Sequence, residues 1–191
     1  VTAVTISDAQ HAFATRRIAE AGLAGRVDIR KCDYRDLTGR FDRIVSIEMF
    51  EAVGERYWPV YFERLNALLE PGGRAALQVI TIDENYFESY RRDADFIQRY
   101  IFPGGMLPTV GRLAMQADTA GLRWHETHAH GADYARTLMH WQERFLENWD
   151  AIAALGFGDE FRRLWTYYLS YCIAGFRIGR IDVHQIGLQK A

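Results

Sequence analysis

An open α/β fold, with a sheet of mostly parallel strands covered by helices, is predicted by two features of this 191-residue sequence. Through residue 82 the segments read strand, helix, strand, strand, helix, strand, and the strands are mostly apolar, the pattern of strands buried on both faces. The composition agrees. With 49% hydrophobic and 25% charged residues the chain suits one compact domain with a real core and excludes a disordered protein.

The opening VTAVTIS is a β-branched strand. Ser7-Asp-Ala-Gln10 has the form of a capping box and opens a helix that stops near Gly22. VDIRKC (27–32) is a short strand, CDYRDL the turn after it, and FDRIVSI (41–47) the next strand. A helix runs from Trp58-Pro59 to Leu69-Glu70, and proline in its first turn removes only an N–H that would be unpaired there. Pro71-Gly-Gly73 breaks the chain before the strand RAALQVITI (74–82). A polar helix over 85–99 leads to YIFPGGMLPT (100–109), whose prolines and glycines mark a fixed loop. A helix over 110–120 ends at Gly121, LRWHETHAH (122–130) alternates as a strand does, two long helices cover 133–154 and 158–177, and IDVHQIGLQ (181–189) is the last strand. With no repeat or linker, residues 1–191 form one domain or a piece of one.

A net charge of −2 gives no electrostatic reason to expect nucleic acid as a partner. Cys32 and Cys172, far apart in sequence, make no disulfide framework, so a reducing cytoplasm is the expected compartment. No apolar run is long enough to span a bilayer, so any membrane contact is peripheral. His125, His128 and His130 alternate on one strand without a carboxylate or cysteine in a ligand pattern, and no metal is expected. Between Glu143 and Phe176 nine aromatic residues crowd together, which reads either as a helical core stripe or as the wall of a tunnel for an apolar ligand.

In open α/β sheets ligands bind beyond the carboxyl ends of the strands. The polar residues that fall there are Thr5, Ser7 and Gln10; Asp33 and Tyr34; Glu48 and Glu51, beside Ile47; and Gln78, with Ile80. An adenosine-type ligand needs hydroxyl contacts, an acceptor for its amine and an apolar slot, and Asp33, Tyr34 and Ile47 supply the last two. Glu48 and Glu51 are the harder residues to explain. Ionised groups at the end of a buried strand are unfavourable unless something compensates them.

VTISDAQHAFA, CDYRDL, FDRIVSIEMFEAVG, YIFPGG.LP, GADYARTL..W and YYLSYC.AGF, in that order across essentially the whole chain, resemble successive motifs of the cyclopropane-fatty-acyl-phospholipid synthase family. The resemblance implies a Rossmann-like class I methyltransferase fold, with the last strand antiparallel to the rest and inserted helices forming an acyl-chain pocket. It implies S-adenosylmethionine as cofactor, held by Thr5, Ser7, Gln10, Asp33, Tyr34 and Ile47 at the strand ends. It implies methyl transfer to the cis double bond of an unsaturated phospholipid acyl chain, at a membrane surface facing the cytoplasm, and a carbocation that a bound bicarbonate deprotonates as the ring closes. Carried over by motif, Glu51 helps hold the bicarbonate, Tyr134 bonds the same anion, Gln78 and the backbone of Ile80 are further contacts, and Cys172 lies close to the reacting centre. A homodimer of the full-length enzyme is allowed.

The pattern departs from the family at Ala52 and Gln78, where many members have histidine. Glutamine cannot titrate, which removes a histidine-assisted proton path. A cation that undergoes a hydride shift before proton loss leaves a methylene branch, so the product is cyclopropane or a methyl or methylene branch. A small-molecule N-methyltransferase and an inactive binding module remain alternatives. The family's first strand and glycine-rich loop have no counterpart here, since Gly22 and Gly25 follow a helix. That strand is central in the fold. Its absence predicts either a gap between a two-stranded pair and a four-stranded sheet, uncovering Val4, Ile6, Ile44 and Val45, or a collapsed closure. It also predicts a chain that is inactive and aggregates or binds cofactor negligibly by itself.

Overall fold

The computed structural model describes residues 1–191. The elements are β1 (Thr2–Thr5), α1 (Asp8–Glu20), β2 (Asp28–Lys31), β3 (Phe41–Ile47), α2 (Trp58–Leu68), β4 (Leu69–Ile82), α3 (Glu84–Arg92), α4 (Phe96–Tyr100), α5 (Val110–Thr119), β5 (Leu122–Ala129), α6 (Gly131–Glu147), α7 (Trp149–Ala153), α8 (Asp159–Arg177) and β6 (Ile181–Lys190). Two single turns of 3-10 helix, Phe50–Ala52 and Glu55–Tyr57, join β3 to α2.

The strands form two sheets. β1 and β2 pair in parallel, and the other four lie in the order β3-β4-β6-β5, with β6 antiparallel to both neighbours. The antiparallel last strand and the gap between a pair and a four-stranded sheet are therefore both present. Ile6 and Val45 are exposed, while Val4 and Ile44 are half-buried. Side chains bridge from the small unit to the large one: Tyr34 meets the Tyr61 ring edge-on at 5.6 Å, and the Arg64 guanidinium donates to the Leu37 carbonyl.

Burial on both faces holds for only part of the sheet. On β4 the side chains Ala75, Leu77 and Val79 are buried, and those between them are half-buried or exposed. The buried side packs against α2, whose Trp58, Tyr61, Phe62, Leu65 and Leu68 recur at helical spacing and form one core with Phe50, Phe87 and Leu113. The opposite face is covered only near the carboxyl end of β4. There Ile80 and its register partner Val183 meet a second core of Ala135, Leu138, Leu169, Ile173 and Phe176 from α6 and α8. That half-covered face positions the site.

Local differences from the sequence reading have local causes. β4 begins at Leu69 and runs through Pro71-Gly-Gly73, with the irregularity taken up in the β3 register between Phe41 and Arg43. The helix expected over 85–99 divides because Asp95 and Gln98 form a full capping box that starts α4 afresh. The helix expected over 133–154 divides at Asn148, whose side chain donates to the Arg144 carbonyl. At α1 the capping box is half made. Ser7 Oγ accepts from Gln10 N, but Thr5 Oγ1 takes the Ser7 N–H and donates to Gln10 Oε1.

Two glycines, Gly131 at the start of α6 and Gly187 in β6, test how rigidly α6 is tied down. Gly131 N donates to Asp182 Oδ1 at 2.7 Å, and a methyl group at Gly131 would lie 2.7 Å from that oxygen. The same oxygen accepts from Val183 N at 2.7 Å, so it cannot move without giving up β6. A methyl at Gly187 would meet Glu126 Cγ at 2.9 Å, but that side chain is two-thirds exposed and can swing away. Gly131→Ala should therefore destabilise by about 1–3 kcal/mol, and Gly187→Ala by less than half as much. Paired thermal melts measure this, and equal losses would refute the tether.

Candidate active site

Beyond the carboxyl ends of β3 and β4 lies a cavity of about 600 Å³, within the range of small-molecule sites. Its walls come from the 3-10 turn after β3, the loop 101–107, α6 and α8. The helical repeat of α8 divides its aromatic residues between two jobs. Leu169, Ile173 and Phe176 enter the second core, while Tyr168, Tyr171, Cys172 and Gly175 face the cavity, which Phe176 also borders. Core stripe and tunnel wall are thus two faces of one helix. The lining is mainly apolar, and its acids are Glu48, Glu51 and Asp95.

Glu51 sits in the 3-10 turn Phe50–Ala52. Its Oε1 accepts from Ile80 N at 2.6 Å, while Oε2 is buried and has no partner. Burial, opposed by the backbone N–H bonds and reinforced by the charge of Glu48, pushes its carboxyl up to about 7. A protonated Oε2 would be a donor directed into an apolar site.

Glu48 occupies left-handed backbone, at φ 48°, the only residue other than glycine with positive φ. The conformation turns the chain off the end of β3 and is held at three points. Glu48 N donates to Gln78 O at 2.8 Å, Gln78 Nε2 donates to Glu48 Oε1 at 2.8 Å, and Tyr134 Oη donates to Glu48 Oε2 at 2.9 Å. Gln185, the register partner of Gln78, fixes that amide by donating to its Oε1 at 3.0 Å. Burial, with the Glu48 charge and hydrogen bond, pushes the Tyr134 hydroxyl up, so it stays a donor.

The structure brings Glu51, Tyr134, Cys172 and Ile80 to one cavity. Gln78 is not in its wall, as the resemblance had it, but stands behind Glu48. Tyr134 meets Glu48 instead of open space. Consequently three of the four groups expected to hold bicarbonate are each bonded to a carboxylate of the chain: Ile80 N to Glu51, and Tyr134 and Gln78 to Glu48. Burial pushes the Cys172 thiol up to about 12, which leaves it a neutral wall residue. Sequence reading gave Glu48 no role and passed over Gln185. The three-residue spacing of two carboxylates was the available signal for the first, and the second required the β4–β6 register.

The residues expected at the cofactor lie elsewhere. Thr5, Ser7 and Gln10 form their own hydrogen-bonded cluster between β1 and α1. Asp33, just past β2, accepts from Arg35 Nε at 2.9 Å and Nη2 at 2.7 Å, which holds its carboxyl below the usual range. Tyr34 packs on Tyr61, and Ile47 at the end of β3 is exposed. Ile6, just past β1, is exposed as well, and Asp33 and Tyr34 belong to the same smaller unit.

Residues 1–186 match the family model for mycolic acid cyclopropane synthetase. The tuberculostearic acid methyltransferase UfaA1 of Mycobacterium tuberculosis is 45% identical over 186 residues, which are 97% of this chain and 44% of that protein. The cyclopropane-fatty-acyl-phospholipid synthase of Escherichia coli K12 is 40% identical over 189 residues, 97% of this chain and 46% of that one. The chain thus spans about half the length of these relatives. The crystal structure of mycolic acid cyclopropane synthase CmaA1 complexed with SAH and CTAB superposes with a TM-score of 0.91 at 28% identity, covering 100% of this chain and 70% of that one. The fold is the α/β methyltransferase fold of these proteins.

The raised Glu51 carboxyl has a consequence for stability. Its folded value, about 7, exceeds the ordinary 4.5, so the native state holds the proton more tightly than the unfolded chain. The contribution, on the order of 3 kcal/mol, is fully present below pH 4.5 and is lost as pH rises through about 7. Glu51→Gln removes this dependence. Its melting temperature should gain on that of the unsubstituted protein across this window and stay level above it, and a constant difference from pH 4 to 8 would show that Glu51 titrates normally.

Proposed function

The chain belongs to the mycolic acid cyclopropane synthetase family, whose members are S-adenosylmethionine-dependent methyltransferases, and on that premise we propose that it methylates the cis double bond of an unsaturated phospholipid acyl chain. The observation that supports this reading is the cavity: an apolar space of about 600 Å³ that ends on two carboxylates. An acyl chain needs an apolar wall along its length. A carbocation formed within it needs negative charge and electron-rich rings in a site closed to water.

S-adenosylmethionine, when bound, supplies a methyl group activated on sulfur, and Asp33, Tyr34 and Ile47 would hold its adenosine part. The chain's own residues do the rest. The loop 101–107 and the α6–α8 pair enclose the alkene and exclude water, which would otherwise trap the cation as an alcohol. The Glu48 carboxylate stabilises the positive charge, Glu51 lies beside it, and the rings of Tyr134, Tyr168 and Phe176 line the same space. The product is a cyclopropane or a methyl- or methylene-branched chain. The residues present do not fit the implied bicarbonate well, because Ile80 N, Tyr134 and Gln78 already donate to carboxylates of the chain, and no step passes through it. No helix is long and apolar enough to cross a membrane. On the proposed reading the phospholipid is met at a membrane surface, from the cytoplasmic side.

Lipid mass spectrometry of cells expressing the protein tests the reading: unsaturated phospholipid chains should gain one carbon at the former double bond. Methylated amines with unchanged lipids would favour the N-methyltransferase alternative. In the active protein, Glu51→Gln and Tyr134→Phe should lower kcat by about 10²-fold or more while leaving cofactor affinity within about twofold, since their contribution arises once the cation forms. Equal losses in cofactor binding would count against both assignments.

A further inference from the structure

The mismatch between the site and a bound bicarbonate points to a different source for the base. We infer that the Glu48 carboxylate is the resident proton acceptor of the reaction, occupying with its own side chain the place that the wider family gives to a bicarbonate ion. The inference rests on the methyl-transfer reading above and deepens it.

Three observations carry it. First, the two side-chain donors that the resemblance assigns to bicarbonate both bind Glu48, Gln78 Nε2 at 2.8 Å to one oxygen and Tyr134 Oη at 2.9 Å to the other. A planar anion with two oxygens is therefore present in that cradle, tethered to the backbone. Second, the remaining backbone donor, Ile80 N, is bonded to Glu51 at 2.6 Å, so a second anion would find only the unpartnered Glu51 Oε2 of that set. Third, Glu48 lines the cavity and accepts only one hydrogen bond on each oxygen, so each retains an open lone pair. The replacement of histidine by Gln78 then makes sense. An imidazole suits a diffusible anion, whereas a side-chain amide is a fixed donor, and Gln185 at 3.0 Å fixes it further.

The left-handed backbone at Glu48 is part of the same device. A side chain at φ 48° is unfavourable relative to glycine, and here both oxygens of that side chain are bonded to partners from other elements. Glu51 complements it. Its unpartnered oxygen and raised value favour a neutral acid beside an accepting carboxylate, the arrangement in which neighbouring carboxyls take different roles.

The step balances as follows. The alkene π electrons form the new C–C bond to the methyl carbon as the S–C bond breaks, and the positive charge moves from sulfur to the neighbouring alkene carbon. Glu48 then removes a proton from the new methyl group, and the C–H electrons close the cyclopropane ring. If a hydride shifts first, the same proton loss places those electrons in a methylene double bond. In either case the proton resides on Glu48 until it leaves to water.

Two measurements test this, and only one depends on turnover. The first is titration of the protein with ¹³C-bicarbonate followed by NMR line broadening. The unsubstituted protein should bind none, and Glu48→Gly, which vacates the cradle at a position where glycine is conformationally free, should bind in the millimolar range. The second is turnover in CO₂-stripped buffer. The unsubstituted protein should keep its rate within about twofold, Glu48→Gln should lose about 10²-fold or more with cofactor binding retained, and added bicarbonate should restore part of the rate of Glu48→Gly. Saturable bicarbonate binding by the unsubstituted protein, a rate that collapses on CO₂ removal, or a Glu48→Gln rate within about threefold would overturn the assignment. A protein that methylates no acyl chain would refute the proposed function while leaving the titration to decide who occupies the cradle.

Discussion

Two carboxylates beside a mainly apolar cavity impose the constraint on which this site depends. Glu48 and Glu51 lie where an uncompensated charge would be costly, and the surrounding structure compensates each differently. Glu51 is given one backbone N–H and otherwise desolvated, so it holds a proton. Glu48 is given two side-chain donors, so it serves as an acceptor. The two donors and the support of one of them come from three separate parts of the chain: Gln78 on β4, its support Gln185 on β6, and Tyr134 on α6. The β4–β6 register and the attachment of α6 to Asp182 are thus requirements of the electrostatics as much as of the packing.

The unequal cover of the sheet follows from the same demand. On one face α2 and its neighbours build a dry core around Phe50, Phe62 and Phe87. On the other, only Ile80 and Val183 receive a close apolar partner, and the strip beside them carries Gln78 and Gln185. A sheet sealed on both faces along its whole length would leave no space for a ligand at this end. α8 manages the transition, since its 3.6-residue repeat sends Leu169, Ile173 and Phe176 toward the second core and Tyr168, Tyr171 and Cys172 toward the cavity.

Element order and type were legible in the sequence because they depend on local signals, such as the apolar runs of β3 and β4 and the proline in the first turn of α2. Breaks inside helices were not. Asp95 and Asn148 are ordinary residues until their side chains are seen to cap. In the site, Glu51, Tyr134, Ile80 and Cys172 were readable from motifs, and the structure places all four around one cavity. What motifs could not convey was who bonds whom. Tyr134 and Glu48 are 86 residues apart, and their contact follows from how α6 meets the end of β4, a tertiary fact with no sequence period.

A base tethered to the backbone also bears on which product forms. A free anion can follow a cation along an acyl chain. The Glu48 carboxylate cannot, because its backbone conformation and two hydrogen bonds fix both oxygens. On the proposed assignment, ring closure competes with hydride shift according to one separation, that between the new methyl group and a stationary oxygen. That separation is set by how deeply the acyl chain enters, and therefore by the far wall formed by α8 and the loop 101–107. Product identity would then be controlled by side chains remote from the reacting carbons, with the chemistry at Glu48 unchanged. The physical reason is ordinary: a short-lived cation takes whichever exit is nearest, and here only one partner can move.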